Sequence, residues 1–100
     1  MTKRVYKVRS KVWKYPGMAG WFFLSVPKAT AATIKKTQAG RPRVGWGAIK
    51  VEATLGTTVW RTSIFPDAKS GTYLLPLKAA IRKKEGVGED DTVSYTLRLV

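Results

Sequence analysis

One short plan occurs twice in this chain. Phe22-Phe23-Leu24-Ser25-Val26-Pro27-Lys28 and Thr72-Tyr73-Leu74-Leu75-Pro76-Leu77-Lys78 both run an apolar strand into a proline and then into a lysine-bearing segment with helical spacing. Each segment stops at a glycine, Gly40 or Gly86, and an alternating strand follows. Proline suits a helix start because the amide it lacks would be unpaired there anyway, so Pro27 and Pro76 are expected to open two helices. Neither helix has more than a few apolar positions. A strand-helix-strand half of this kind cannot bury a core alone, and pairing two halves into one closed or half-closed barrel is the economical solution. At 100 residues the expectation is a single domain, 1–100, mainly β with two short helices.

The hydrophobic pattern fills in the remaining elements. Val5 to Lys14 alternates, with Tyr6, Val8 and Val12 on one face and Lys7, Arg9 and Lys11 on the other, the period of a half-buried strand. Trp21 to Val26 reads as a short strand covered on both faces. Lys28 to Gln38 follows as a helix burying Ala29, Ala32 and Ile34. From Gly45 to Leu55, Ile49, Val51, Ala53 and Leu55 alternate with polar residues. Gly56-Thr57 is a tight-turn pair that returns the chain through Thr58 to Phe65 with Val59, Trp60, Ile64 and Phe65. Residues 66–71 are turn chemistry with Asp67 as a turn former, and Thr72 to Leu75 is a fifth strand. Leu77, Ala80, Ile81 and Lys84 carry the spacing of the second helix, Gly86 its left-handed stop, and Val87 folds back on it. Glu89-Asp90-Asp91 forms an acidic turn before a last strand with Val93, Tyr95, Leu97 and Leu99 on one face.

Charge is where the sequence speaks to partners. Lys and Arg number 19 against 6 Asp and Glu, a formal +13. Up to Val51 there are twelve basic residues and no acid; the other seven share the rest of the chain with all six acids. A field of one sign attracts polyanions. Lys7, Arg9 and Lys11, with Lys35, Lys36, Arg41 and Arg43, are the candidate phosphate contacts for DNA, and Trp13, Trp21 and Trp46 could stack on bases beside them. Taken one at a time, such aromatics more often sit in a barrel core.

Other chemistries find little footing. The chain has no cysteine and no histidine, so disulfides, thiolate metal sites and the familiar acyl-transfer triads are excluded. Ser25 or Ser63 would need a lysine base such as Lys28 or Lys69, and no spacing supports that. Glu89, Asp90 and Asp91 are bunched in one turn, which suits neither separated glycosidase carboxylates nor a closed cation cage. No catalytic, metal or cofactor site is expected. No run of apolar residues is long enough to span a bilayer, and the first residues lack the apolar core of a secretory signal, which gives the expectation of a cytoplasmic protein.

Several marks together resemble a bacterial family, domain of unknown function 1905, along nearly the whole chain. They are Gly20-Trp21-Phe22-Phe23-Leu24 with Val26-Pro27-Lys28, Val59-Trp60-Arg61-Thr62-Ser63-Ile64 with Pro66, and Gly71-Thr72-Tyr73-Leu74-Leu75-Pro76 leading to Ala80-Ile81-Arg82-Lys83 and Gly86-Val87. The resemblance implies a double-split β-barrel capped by helices, a fold shared with AbrB/MazE-like regulators and antitoxins. Two departures qualify it: Asp90-Asp91 stands where those patterns usually have Gly-Asp, and both halves lie in one chain where such regulators pair two. A monomer with internal pseudo-two-fold symmetry is therefore expected. The leading functional expectation is a non-enzymatic nucleic-acid-binding module acting through phosphates. The alternative is a small-molecule or protein-binding cleft near Trp60, Arg61, Tyr73 and Arg82.

Overall fold

A computed structural model describes residues 5–17, 20–38 and 47–100. Six strands and two helices follow in the order β1 (Val5–Lys14), β2 (Phe22–Ser25), α1 (Lys28–Gln38), β3 (Ile49–Leu55), β4 (Thr58–Asp67), β5 (Thr72–Pro76), α2 (Ala79–Glu85) and β6 (Thr92–Leu99). The strands form a closed antiparallel barrel in the order β1-β2-β5-β4-β3-β6. Closure removes every free strand edge that a sheet of this length would otherwise expose. Neither described helix is long and apolar enough to cross a membrane.

Alternation does most of the folding. Val8 and Val12 of β1, Leu24 of β2, Ile49, Val51, Ala53 and Leu55 of β3, Ile64 of β4, Leu75 of β5 and Tyr95 and Leu97 of β6 all point inward and are buried. Ile34 of α1 and Ile81 of α2 join the same core. In α1 the buried alanine is Ala31; Ala29 and Ala32 are exposed, contrary to the sequence expectation. Ile34 is buried as expected, and Ala31, three residues before it, shares its face, whereas Ala32, two before it, lies on the opposite side of the helix. Pro27 is the residue before α1, and its carbonyl accepts the first helical bond from Ala31 at 2.8 Å.

Pro76 departs more sharply from expectation. It is the last residue of β5, paired with Phe23, and the second helix starts only at Ala79 with Lys78 as its N-cap. Proline is tolerated in this strand because Leu77 N–H, one residue on, turns to β2 and bonds Phe22 O, so the nitrogen of Pro76 faces β4, whose ladder with β5 has ended at Leu74. Leu77 is buried in the connection, not on the helix, and Ala80 is exposed. Gly86 does end α2 in the left-handed conformation, at φ 64, and Val87 N–H folds back to Arg82 O at 2.9 Å.

The two halves are related, though not by their prolines. Exchanging β1, β2 and β3 for β4, β5 and β6 leaves the ring of neighbours unchanged. Leu24 pairs with Leu75, and the helices begin at Lys28 and Ala79; both spacings are 51 residues (75 minus 24, 79 minus 28). The same shift relates two hydrogen bonds of 2.9 Å, Val26 N–H to Tyr73 O and Leu77 N–H to Phe22 O. Aligning the halves proline to proline gives 49 instead. The 50-residue alignment of the two segments puts strand residues on opposite faces, since one step of register reverses a strand.

Where β1 leaves β6 to pair with β2, side chains replace the ladder. Ser10 Oγ donates to Ser25 O at 2.7 Å and is 2.8 Å from Tyr95 Oη, while Trp13 Nε1 donates to Ser25 Oγ at 2.9 Å. At the next carbonyl along, the buried hydroxyl of Thr72 on β5 donates to Val26 O. These bonds satisfy carbonyls freed as β2 turns into α1, which would otherwise be buried without partners.

Candidate nucleic-acid interface

Because β1 alternates, Lys7, Arg9 and Lys11 project outward together, and all three are exposed. The register sets each opposite a hydroxyl of β6: Lys7 faces Thr96, Arg9 faces Ser94 and Lys11 faces Thr92. Thr96 in turn faces Thr54 of β3. An open cleft of about 530 Å³ lies on this face, lined by Lys7, Val8, Arg9, Thr54, Gly56, Ser94, Tyr95 and Thr96. Two cations and three hydroxyls in one depression can meet phosphate oxygens with both charge and hydrogen bonds.

Electrostatics leave these cations available. The acid on the neighbouring outer face, Glu52, sits between Arg98 and Arg61: Arg98 Nη2 lies 3.0 Å from Glu52 Oε2 and Arg98 Nε donates to Oε1 at 3.1 Å, with Arg61 Nε at 3.9 Å. Its hydrogen bond holds Arg98 more firmly in the charged form. Among the described residues no ion pair involves Lys7, Arg9 or Lys11. The Tyr95 phenol behind the cleft is pushed up to about 12 by burial, against a smaller opposing effect of the Ser10 hydroxyl, so it stays neutral. In the turn after β4, Asp67 accepts from Ser70 Oγ at 2.6 Å, which holds its carboxyl below the usual range and fits its expected role as a turn former.

Of the other expected contacts, Lys35 and Lys36 are exposed on the last turn of α1 and do not line the cleft. Arg41, Arg43 and Trp46 lie outside the described residues. The alternative cleft does not assemble. Trp60 and Arg61 are successive residues of β4 and project to opposite faces, with Trp60 packed against the core and Arg61 exposed. Tyr73 is buried, and Arg82 is stacked 3.7 Å over the Phe22 ring while its Nε donates to Leu77 O. Ser25 Oγ, weighed as a nucleophile, accepts the Trp13 indole bond.

Phe22 and Trp60 pack against the core, but Trp13 and Trp21 lie on the outer face instead. Past Lys11 comes Trp13 on β1 and then Tyr15, just beyond the end of the strand. Trp13 faces Phe23 of β2, and Tyr15 N–H bonds Trp21 O at 2.8 Å, so four aromatic residues make a two-by-two grid on one face. The rings of Trp13, Tyr15 and Trp21 lie 5.2, 6.1 and 6.2 Å from that of Phe23, and Trp13 and Tyr15 are 6.2 Å apart. Trp21 and Tyr15 are 53 % and 43 % exposed. Phe23 is half-buried between them. Tyr15, Phe23, Thr54, Ser94 and Thr96 were not singled out from the sequence. Carrying the odd-numbered alternation of β1 beyond Lys11 finds the first of them; the hydroxyls depend on register.

These features define a small closed antiparallel barrel with a continuous cationic and aromatic line along one strand. The family described as Domain of unknown function (DUF1905) has a model that matches residues 9–97, and the chain belongs to that family. No curated protein matches the sequence.

Proposed function

We propose that this barrel is a non-enzymatic nucleic-acid-binding module that engages its ligand chiefly through phosphate contacts of β1. The observation that carries the reading is the row Lys7, Arg9 and Lys11, in no ion pair among the described residues and set against the hydroxyls of Thr96, Ser94 and Thr92. The formal +13 adds long-range attraction. Lys35 and Lys36, exposed on α1, add to the positive charge. The β2-β5 junction, where two halves exchange equivalent hydrogen bonds, fits a double-split barrel of the AbrB/MazE-like type, here acting as a monomer in the cytoplasm because one chain carries both halves. The cleft suggested by Trp60, Arg61, Tyr73 and Arg82 has less support, since those side chains diverge.

The test is fluorescence anisotropy with labelled DNA at several salt concentrations. Engagement of about six phosphates gives a log–log slope near −5 on duplex and a shallower one on a single strand, and replacing Lys7, Arg9 and Lys11 by alanine reduces the slope by about three. No binding at low salt, or an unchanged slope in the triple variant, refutes the assignment.

A further inference from the structure

The outer face of β1 changes character along its length: cations at Lys7, Arg9 and Lys11 give way to Trp13 and, just past the strand's end, Tyr15, with Phe23 of β2 and the preceding Trp21 beside them. We infer that the ligand is a single-stranded nucleic acid whose backbone follows the cationic part of β1 and whose bases stack on the exposed rings of Trp21 and Tyr15. This deepens the phosphate-binding reading and rests on it.

Three observations favour this occupant. The first is charge: an uncovered aromatic grid in a chain of formal +13, continuous with three unpaired cations, matches a ligand that is both anionic and aromatic. The second is shape. The cations lie in one line at about 6.6 Å intervals, two residues apart on a strand, and the aromatic rings continue that line, where a duplex would keep its bases paired and stacked inside its own helix. A single backbone fits one line, and its unpaired bases are free to turn onto rings.

The third is the path left open. The acidic turn lies on the β6 side of Trp13, because Val12 N–H bonds Asp91 O and Asp90 N–H bonds Val12 O, both at 2.8 Å. Glu89, Asp90 and Asp91 are all exposed there. They repel a strand on that flank and direct it across β2, over Trp21. Trp13 is pinned through its indole N–H to Ser25 and is half-buried, so it serves as a fixed support, and the rings free to stack are Trp21 and Tyr15.

The experiment compares an oligothymidylate, an abasic strand of the same length and a duplex of the same length in parallel anisotropy titrations at low salt, with the intact chain and with Trp21→Ala. Stacking predicts that oligothymidylate binds about tenfold or more tighter than the abasic strand, that Trp21→Ala erases that margin, and that abasic binding is unaffected. Trp21 is exposed, and the abasic arm checks that the variant is folded. If the abasic strand binds as well as oligothymidylate to the intact chain, stacking is overturned while the phosphate reading stands. If no nucleic acid binds at low salt, both fall. A protein dimer that Trp21→Ala dissociates, seen by sedimentation with no preference for bases, assigns the grid to a second copy and overturns the inference.

Discussion

The turn behind the phosphate cleft is held by a contact that a single methyl group should break. Gly56 begins the β3-β4 turn at φ +59, and a Cβ built there would stand 1.9 Å from Glu85 Oε1 and 2.8 Å from its Cδ. Glu85, the last residue of α2, accepts hydrogen bonds from the hydroxyls of Thr58 and, at 3.4 Å, Thr57. In Gly56→Ala the left-handed conformation costs about 1–2 kcal/mol. The smaller entropy of the unfolded alanine chain increases stability by about 0.4–1 kcal/mol. The carboxylate must also withdraw, and Thr58, which is buried, loses its acceptor at about 1–3 kcal/mol. The expected total is about 3 kcal/mol, or a fall in Tm of roughly 12–24 °C for a domain of this size. The decisive assay is a double-mutant cycle by urea denaturation. With Glu85→Ala already in place, Gly56→Ala should cost only the strain, about 1 kcal/mol, leaving about 2 kcal/mol of coupling. Penalties that add to within about 0.5 kcal/mol would refute the clamp. Because Gly56 lines the cleft beside Lys7 and Arg9, the stability of this turn also governs the shape of the phosphate site.

Two further outcomes follow from single residues. Tyr95 has a folded pKa of about 12 against an ordinary 10; a raised folded value favours the neutral form, so its contribution is fully present below pH 10 and is lost as pH rises towards 12. That amounts to about 3 kcal/mol, and denaturation midpoints between these pH values should fall more steeply in the intact protein than in Tyr95→Phe; equal slopes refute it. Asp90 is the non-glycine residue with a positive φ, 71, among the described residues. Asp90→Gly should be at least as stable in thermal melts, while Asp90→Val should lose about 1–2 kcal/mol because a β-branched side chain fits that region poorly; equal stability of all three would sink the argument.

Asp90 also marks how far sequence reading reached. The lack of glycine in that turn was visible as a departure from pattern, and the chain answers it by forcing aspartate, one of the residues that tolerates the left-handed region best, into the strained conformation. Inward and outward positions of β1, β3 and β6 were legible because a strand repeats every two residues. Gly56-Thr57 and Gly86 were legible because glycine at a chain reversal has few other uses. The family was legible from short marks spread over the whole chain, and the match to residues 9–97 bears it out.

What local pattern could not fix was phase and partnership. Pro76 looks like Pro27 one residue at a time, yet only the β2-β5 pairing determines that it ends a strand while Pro27 precedes a helix. The divergence of Trp60 from Arg61 and the opposition of Lys7, Arg9 and Lys11 to β6 hydroxyls are likewise matters of which strands meet. The amino-acid sequence by itself determined the alternation, the charge excess and the repeated half. Only the tertiary structure decided that the cations stand unpaired beside an uncovered aromatic grid, because periodicity says which residues share a face of one strand, and the register between strands separated in sequence says what that face meets.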